Sequence, residues 1–403
     1  TGHGGAKAGI SASRKLTWGT EIRLSTGFER KDYPSGTNDF TLYRGSINAE
    51  IRQPLLRGLG NLVNTDGIAF ARSRIMEVRR MVEMLKADLT VETVRSYVAL
   101  LRLKRKQASA GESAARMERL AKLTKAMERR GTTTHIDTLR SELQLGQALA
   151  QVESYGQEFE SQMRDFCELL GLGTDQTFEL EQIPFIEELL PEPGNAEDIA
   201  LQNRLDYAQA LHDLEDARRN GLVAKNRTLP DIALTLQYQQ FGSGEKASYA
   251  ADLGEHLWFA GLSSSTDLFR REDRIAYKQA LANAEIAALD LEIIEANIRK
   301  QARQHLLAYR RGISELGIAR RNFNLARSRA VLARKMFETG KSDNFSVTDA
   351  EMAYMNAENE LLQSEATTTL AGYQLRRALG TLLEAPPDLL PRQATVKKEP
   401  KES

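Results

Sequence analysis

Two stretches, from about Gly67 to Arg130 and from about Arg271 to Thr339, contain no proline and almost no glycine. Each can form one helix roughly 100 Å long at about 1.5 Å per residue. Helices of that length rarely fit an ordinary globular core, so two of them imply coiled-coil packing along their length. The second stretch carries a seven-residue repeat at Ala302, Tyr309, Leu316, Phe323, Ala330 and Phe337, beside a small-residue stripe at Ala319, Ala326 and Ala333. The run that follows answers with Ala350, Ala357, Ser364, Ala371 and Ala378, also seven apart. Such stripes allow close antiparallel helix contact, and they are read as core.

Both long helices are expected to stop at a glycine, in Arg130-Gly131-Thr132-Thr133-Thr134 and in Thr339-Gly340-Lys341-Ser342-Asp343. Glycine supplies the left-handed residue past a helix end, and the Ser, Thr and Asp after it cap the next helix. Gly340 follows Gly131 by 209 positions (340 − 131), and Leu268-Phe269-Arg270 follows Leu55-Leu56-Arg57 by 213 (268 − 55). One unit of strand, strand, long helix, tight turn and helix therefore occurs twice.

The strands show as alternation of period two. From Ile10 to Arg30, Ile10, Ala12, Leu16, Trp18, Ile22, Leu24 and Phe28 alternate with Ser11, Ser13, Lys15, Thr17, Glu21, Arg23, Ser25 and Glu29. This reads as one strand, interrupted on its apolar side by Arg14 and Arg30. The part from Leu16 to Phe28 is long enough to cross roughly 30 Å of bilayer at a tilt of about 45°. After the turn-rich Lys31–Asp39 a second strand sets Tyr43, Ile47, Ala49, Ile51 and Leu55 against Arg44, Ser46, Asn48, Glu50 and Arg52, completing a hairpin. A second hairpin pairs Ile232, Leu234, Leu236 and Tyr238 with a run holding Trp258, Ala260, Leu262, Ser264, Thr266 and Leu268, around a loop at Gly242–Lys246. Leu257 and Phe259 on the other face of that last run blur its alternation.

Composition removes several function classes. Lys plus Arg and Asp plus Glu stand at 55 each, so no basic excess exists to hold a nucleic acid. The single Cys167 cannot build a disulfide framework and reads as a small core residue. No stretch of about 18 apolar residues occurs, so any membrane crossing has to be made by β-strands. His3, His135, His212, His256 and His305 have no metal-ligand spacing, and neither Gly2-His3-Gly4-Gly5 nor Gly58-Leu59-Gly60 completes a phosphate-binding loop. No nucleophile with a nearby base is suggested, so no cofactor, metal or catalytic residue is expected.

In this order and at these spacings the chain resembles the TolC-like outer-membrane efflux family. The resemblance is carried by Gln53-Pro54-Leu55-Leu56-Arg57-Gly58-Leu59-Gly60, by Asn203-Arg204-Leu205-Asp206 with Leu205 where the family has proline, by Gly340 through Ala350, and by Ala378-Leu379-Gly380-Thr381-Leu382. It implies a mostly α fold with a membrane β-barrel, in which two structural repeats each give a β-hairpin and a long antiparallel helical hairpin. A homotrimer would form a 12-stranded barrel continued by an α-helical tunnel. The open sheet edges argue separately for oligomerisation, because lipid tolerates no unpaired strand edge.

The expected divisions are residues 1–62 for the first β-hairpin, 63–172 for the first helical hairpin and 173–199 for an equatorial linker. Residues 200–229 then form an ascending helix, 230–270 the second β-hairpin, 271–384 the second helical hairpin and 385–403 a disordered tail. The sequence opens at Thr1 without Met and reads as a processed or truncated product, and the helix that the family places before the first hairpin is expected ahead of this start.

By resemblance the protein is a passive exit duct of a tripartite efflux or type I secretion system. It would sit in the bacterial outer membrane with its helices in the periplasm, working with a periplasmic adaptor and an inner-membrane pump that selects the cargo. Position in the family motif assigns the periplasmic mouth to Asp349, with Ser346 where a second acidic residue is usual and with Asp343 and Glu351 able to compensate. Arg129, Arg130, Gly131, Thr133, Gly340 and Ser342 are the candidate adaptor contacts. Leu16, Trp18, Ile22, Leu24, Phe28, Ile232, Leu234 and Leu236 are expected to face lipid. The rival reading is a non-conducting coiled-coil scaffold of the cell envelope, which has no reason to gather large apolar residues on one exposed strand face.

Overall fold

The computed structural model describes residues 5–33, 40–173, 179–181, 192–265 and 270–391. The strands are β1 (Gly5–Lys15), β2 (Glu21–Tyr33), β3 (Phe40–Pro54), β4 (Ile232–Gly244) and β5 (Glu255–Ser264). The helices are α1 (Asn61–Asn64), α2 (Asp66–Arg129), α3 (His135–Leu169), α4 (Pro193–Asn203), α5 (Leu205–Arg227), α6 (Ala247–Ala251), α7 (Arg271–Glu338) and α8 (Asn344–Leu379). Two compact units result, one of residues 1–78 and 209–292 and one of residues 79–208 and 293–403.

The first unit is built on one antiparallel sheet in the order β1-β2-β3-β4-β5. Three of the strands precede α1 where the sequence suggests two. The run Ile10–Arg30 is split between β1 and β2 by a turn at Leu16–Thr20, closed by bonds from Gly19 N–H to the Leu16 carbonyl (2.9 Å) and from Leu16 N–H to the Thr20 carbonyl (2.8 Å). Gly19 has φ +101°, and a Cβ there would lie 2.4 Å from the Gly58 carbonyl oxygen. Only glycine fits that backbone. The split is hidden because Lys15 faces Glu21 and Arg14 faces Ile22, so even residues of both strands share a face and alternation passes through the turn unbroken. Leu16 and Trp18 therefore belong to the turn and not to a strand.

At the base of the sheet the Pro54–Gly60 segment turns the chain from strand to helix. Asn226 Oδ1 accepts the Gly58 N–H (2.8 Å), while Asn64 Nδ2 donates to the Gly58 and Gly60 carbonyls (2.8 Å each). At its other end β4 runs through Gly242 to Gly244, and α6 follows where the sequence suggests only a loop. A Cβ on Gly45 or Gly242 would sit 2.1 or 2.3 Å from the carbonyl oxygens of Ala250 and Asp252, so these glycines let the α6 segment lie against the sheet. Thr266 and Leu268 lie outside the described residues, as do most of the linker and residues 392–403 of the tail.

The second unit is a helical bundle. The heptad positions Ala302, Tyr309, Leu316, Ala330 and Phe337 are buried, as are Ala319 on the small-residue stripe and Ala350, Ala357 and Ala378 on α8. A Cβ on Gly312 would stand 3.0 Å from Thr368 Oγ1, which shows how closely α7 and α8 approach. One core cluster joins Ala196 and Ala200 of α4 to Ile298, Ala302, Leu306, Tyr309, Leu375 and Leu379. A second joins Ala114, Met117 and Leu120 to Ala148, Phe337 and Val347. The ascending helix expected over 200–229 is broken at Arg204, whose ψ of 127° separates α4 from α5. Arg204 spans the break with two bonds to Asp206 (3.0 and 2.6 Å) and one to Gln301 (2.7 Å).

Four helix ends share one geometry. Gly131, Gly171, Gly340 and Gly380 have φ between 69° and 73°, each donating to the carbonyl three residues back while the next residue donates five back. This is the Schellman stop. Gly380 follows Gly171 by the same 209 positions (380 − 171) that separate Gly340 from Gly131. Among the described residues no helix is long and apolar enough to cross a membrane.

Candidate functional site

Two places combine side chains in ways that core packing does not explain. The first is the sheet. Its register puts Ile22, Leu24 and Phe28 of β2 on the same face as Ile47, Ala49 and Ile51 of β3, Leu234, Leu236 and Tyr238 of β4, and Trp258, Ala260 and Leu262 of β5. Ile232 shares that face, opposite Ser264. Leu24 is 54% exposed, Trp258 74% and Leu262 70%. The reverse face carries Arg23, Ser25 and Glu29, then Arg44, Asn48, Glu50 and Arg52, then Thr235, Gln237 and Gln239. A water-soluble sheet buries its apolar face, so an exposed apolar face opposite a polar one marks an interaction surface, with protein or with lipid. Aromatic pairs mark both parts of the apolar face: Tyr238 and Trp258 have ring centroids 4.5 Å apart, and Phe28 and Tyr43 5.9 Å apart.

The second place is the turn end of the helical unit. Both turns present exposed glycines at the Schellman stops, with Arg129 and Arg130 exposed beside Gly131 and with Thr133 and Ser342 half-buried. Thr134 caps α3 in a capping box with Asp137, whose carboxylate also accepts from the Thr133 hydroxyl (3.1 Å). Asp343 caps α8, accepting the Ser346 N–H at 2.9 Å. Hydrogen bonds hold both carboxylates below the usual Asp value, led by the Thr134 hydroxyl at Asp137 and by the Ser346 hydroxyl at Asp343. Asp343 and Ser346, two of the three expected mouth residues, are thus each other's partners in a helix cap.

Behind the turns lies a buried polar layer. Asn344 Nδ2 donates to the Asp137 carbonyl and to Ser141 Oγ (2.9 Å each), and Ser141 Oγ lies 3.1 Å from Thr124 Oγ1. Asn344, Ser141 and Thr124 are at most 1% exposed and bring together α8, α3 and α2. Two helical turns further on, Glu351 is 1% exposed and bridges Arg116 of α2 (3.0 Å) and Arg334 of α7. Arg116 also stacks over the Tyr354 ring at 5.2 Å. Glu351 is therefore consumed in a buried ion triad and is not free to supplement an acidic mouth. Asp349, two residues away, is half exposed and pairs with Arg329 of its own hairpin. Sequence reasoning misses the triad, since Arg116 and Glu351 are 235 positions apart and nothing in the local pattern joins them.

Because the capping carboxylates are depressed in the folded state, the stability they add is present above the ordinary Asp value of 3.8 and is lost as pH falls through their lower folded values. Asp343→Ala is expected to lower stability by about 1 kcal/mol at pH 7, and the difference is expected to shrink as pH falls below the ordinary Asp value. Chemical denaturation of both proteins at pH 7 and over a series of lower pH values checks this.

The family model described as outer membrane efflux protein matches residues 197–381. The fold is similar to that of the outer membrane protein VceC from Vibrio cholerae, with TM-score 0.70 and 15% identity over 94% of this chain and 87% of that one. It is also similar to the open state of the Neisseria gonorrhoeae MtrE outer membrane channel (TM-score 0.68, 16% identity, 94% and 81% covered). The Campylobacter jejuni CmeC outer membrane channel gives TM-score 0.67 and 12% identity, with 95% and 78% covered. No curated protein matches the sequence. At these identities the structural likeness speaks for the fold.

Proposed function

We propose that this chain, whose residues 197–381 match the model of the outer membrane efflux protein family, a family of transport channels and not enzymes, is one subunit of a trimeric, passive export duct. The observation that carries the reading is the exposed apolar face that β2 to β5 share in register, opposite a reverse face that is polar on β2, β3 and β4 and carries Leu257 and Phe259 on β5. In a closed barrel the first meets lipid and the second lines the water-filled lumen. Repetition of the helical hairpin at a spacing of 209 residues supports two similar halves per subunit, whose long helices continue the barrel as a periplasmic tunnel.

At the tunnel mouth Asp349 is the residue we assign to ion selection, with Arg329 as its counter-charge. Symmetry copies of a half-exposed carboxylate set near a pore axis attract cations and repel anions. Asp349→Ala removes that carboxylate and frees Arg329, so the reversal potential in a salt gradient is expected to move toward anion preference and block by trivalent cations to weaken. An unchanged potential and unchanged block remove Asp349 from the mouth. The exposed turns with Arg129, Arg130, Gly131, Thr133, Gly340 and Ser342 are where a periplasmic adaptor docks in this account, linking the duct to an inner-membrane pump.

A further inference from the structure

The apolar face of the sheet ends partway along its strands. Away from Ile232, its rows hold Leu234 and Leu262, then Ile22, Ile51 and Leu236, then Leu24, Ala49, Tyr238 and Trp258, then Thr26, Ile47 and Gln240. The next row holds Phe28, Gly45 and Gly242. Beyond it the same face turns polar: Arg30, beside Tyr43, meets Asp32 at 3.0 Å, and the Thr41 hydroxyl donates to Asp32 at 2.9 Å. At about 3.3 Å per residue and a tilt of about 40°, the stretch from Ile232 to Gln240 rises about 20 Å, within one two-residue step of the roughly 25 Å apolar band of a membrane barrel.

The α6 segment lies across that boundary. A Cβ on Gly45 would sit 2.1 Å from the Ala250 carbonyl oxygen, and one on Gly242 2.3 and 2.6 Å from those of Asp252 and Tyr249, which places α6 over the apolar face and not the polar one. Gln240 Nε2 donates to the Leu253 carbonyl at 2.7 Å and pins the other end of the segment. Ala250 is buried against the sheet, whereas Tyr249 is 54% exposed, and Glu245, Lys246, Ser248 and Asp252 are exposed with it. Carboxylates and an ammonium group are too costly to leave in hydrocarbon. A seat on the outward face, at the level where the apolar rows stop, leaves the polar headgroup layer as their surroundings, and an exposed tyrosine is the side chain that membrane proteins place there. Resting on the channel reading above, we propose that residues 245–254 form a collar that seats the barrel wall at one edge of the bilayer, with α6 in the lipid headgroup layer and Tyr249 as its interfacial anchor.

The test uses the full chain assembled in lipid vesicles, with a spin label on Leu24→Cys or on Ala251→Cys and the unsubstituted protein as control, since Cys167 is fully buried. The ratio of collisions with oxygen, which partitions into lipid, to collisions with a water-soluble nickel complex reports depth. Leu24→Cys is expected to give a hydrocarbon ratio, and Ala251→Cys the ratio of a lipid spin-labelled on its headgroup in the same vesicles. Adding Gly45→Ala, whose Cβ has no room beneath the Ala250 carbonyl, is expected to move the Ala251 label toward the ratio of free label in water while Leu24 keeps its own. A water-like ratio at Ala251 without Gly45→Ala, a ratio there equal to that at Leu24, or no movement with Gly45→Ala would overturn the collar. A water-like ratio at Leu24 would strike the channel reading instead.

Discussion

Glu351→Ala is expected to destabilise the helical unit by about 3–5 kcal/mol, the cost of removing one partner from a buried ion pair. Two arginines converge on the carboxylate from different helices, and Arg116 is only 12% exposed in its side chain. Without Glu351 that guanidinium loses its main buried counter-charge while remaining desolvated. Glu351→Gln keeps the shape and removes the charge, so a smaller loss is expected there. Asp349→Ala, two positions away, supplies the contrast: its pair with Arg329 is exposed on both sides, and such pairs are worth at most about 1 kcal/mol. Chemical denaturation of the three variants ranks them. In the channel account the Glu351 triad also holds the helices behind the mouth, so Glu351→Ala is expected to raise the resting conductance. An effect no larger than that of Asp349→Ala would show that the triad holds nothing.

The second large effect concerns the sheet. Leu24→Arg puts a charge on the apolar face, in the row that holds Ala49, Tyr238 and Trp258. On the lipid face of a barrel this costs roughly 2–4 kcal/mol at mid-membrane. Arg23→Leu changes the adjacent residue on the polar face and is expected to insert normally. Recovery of each protein in the outer-membrane fraction separates them. Equal insertion of the two variants would mean that the two faces meet the same medium.

Much of this arrangement is legible in the sequence because it rests on periodicity. Ile22, Leu24 and Phe28 share a face with Leu234 and Leu236 since alternation of period two survives any register that keeps apolar residues together. The helix stops at Gly131 and Gly340 are legible because a left-handed residue past a helix end strongly favours glycine. Connections are less legible. The turn at Leu16–Thr20 escapes because its length preserves parity between β1 and β2, and the informative sign, Gly19, is one glycine within an otherwise regular alternation. The α6 segment escapes because it forms against Gly45 and Gly242, whose need for close approach shows only once the strands are paired. The Asp343 carboxylate resembles a mouth residue by position and is spent on capping, a local role that the Asp343-Asn344-Phe345-Ser346 spacing also encodes. The Glu351 triad is long-range in sequence, and a glutamate beside a small-residue stripe reads equally well as a solvated helix face.

As proposed, this chain completes a membrane wall only with other copies of itself, and the wall encloses a conducting duct. The most direct measurement is the mass of the purified full-length protein in detergent, followed by reconstitution of the same fraction into planar bilayers. Trimers that pass ions with discrete conductance steps are expected. A stable monomer that leaves the bilayer silent would contradict the proposal.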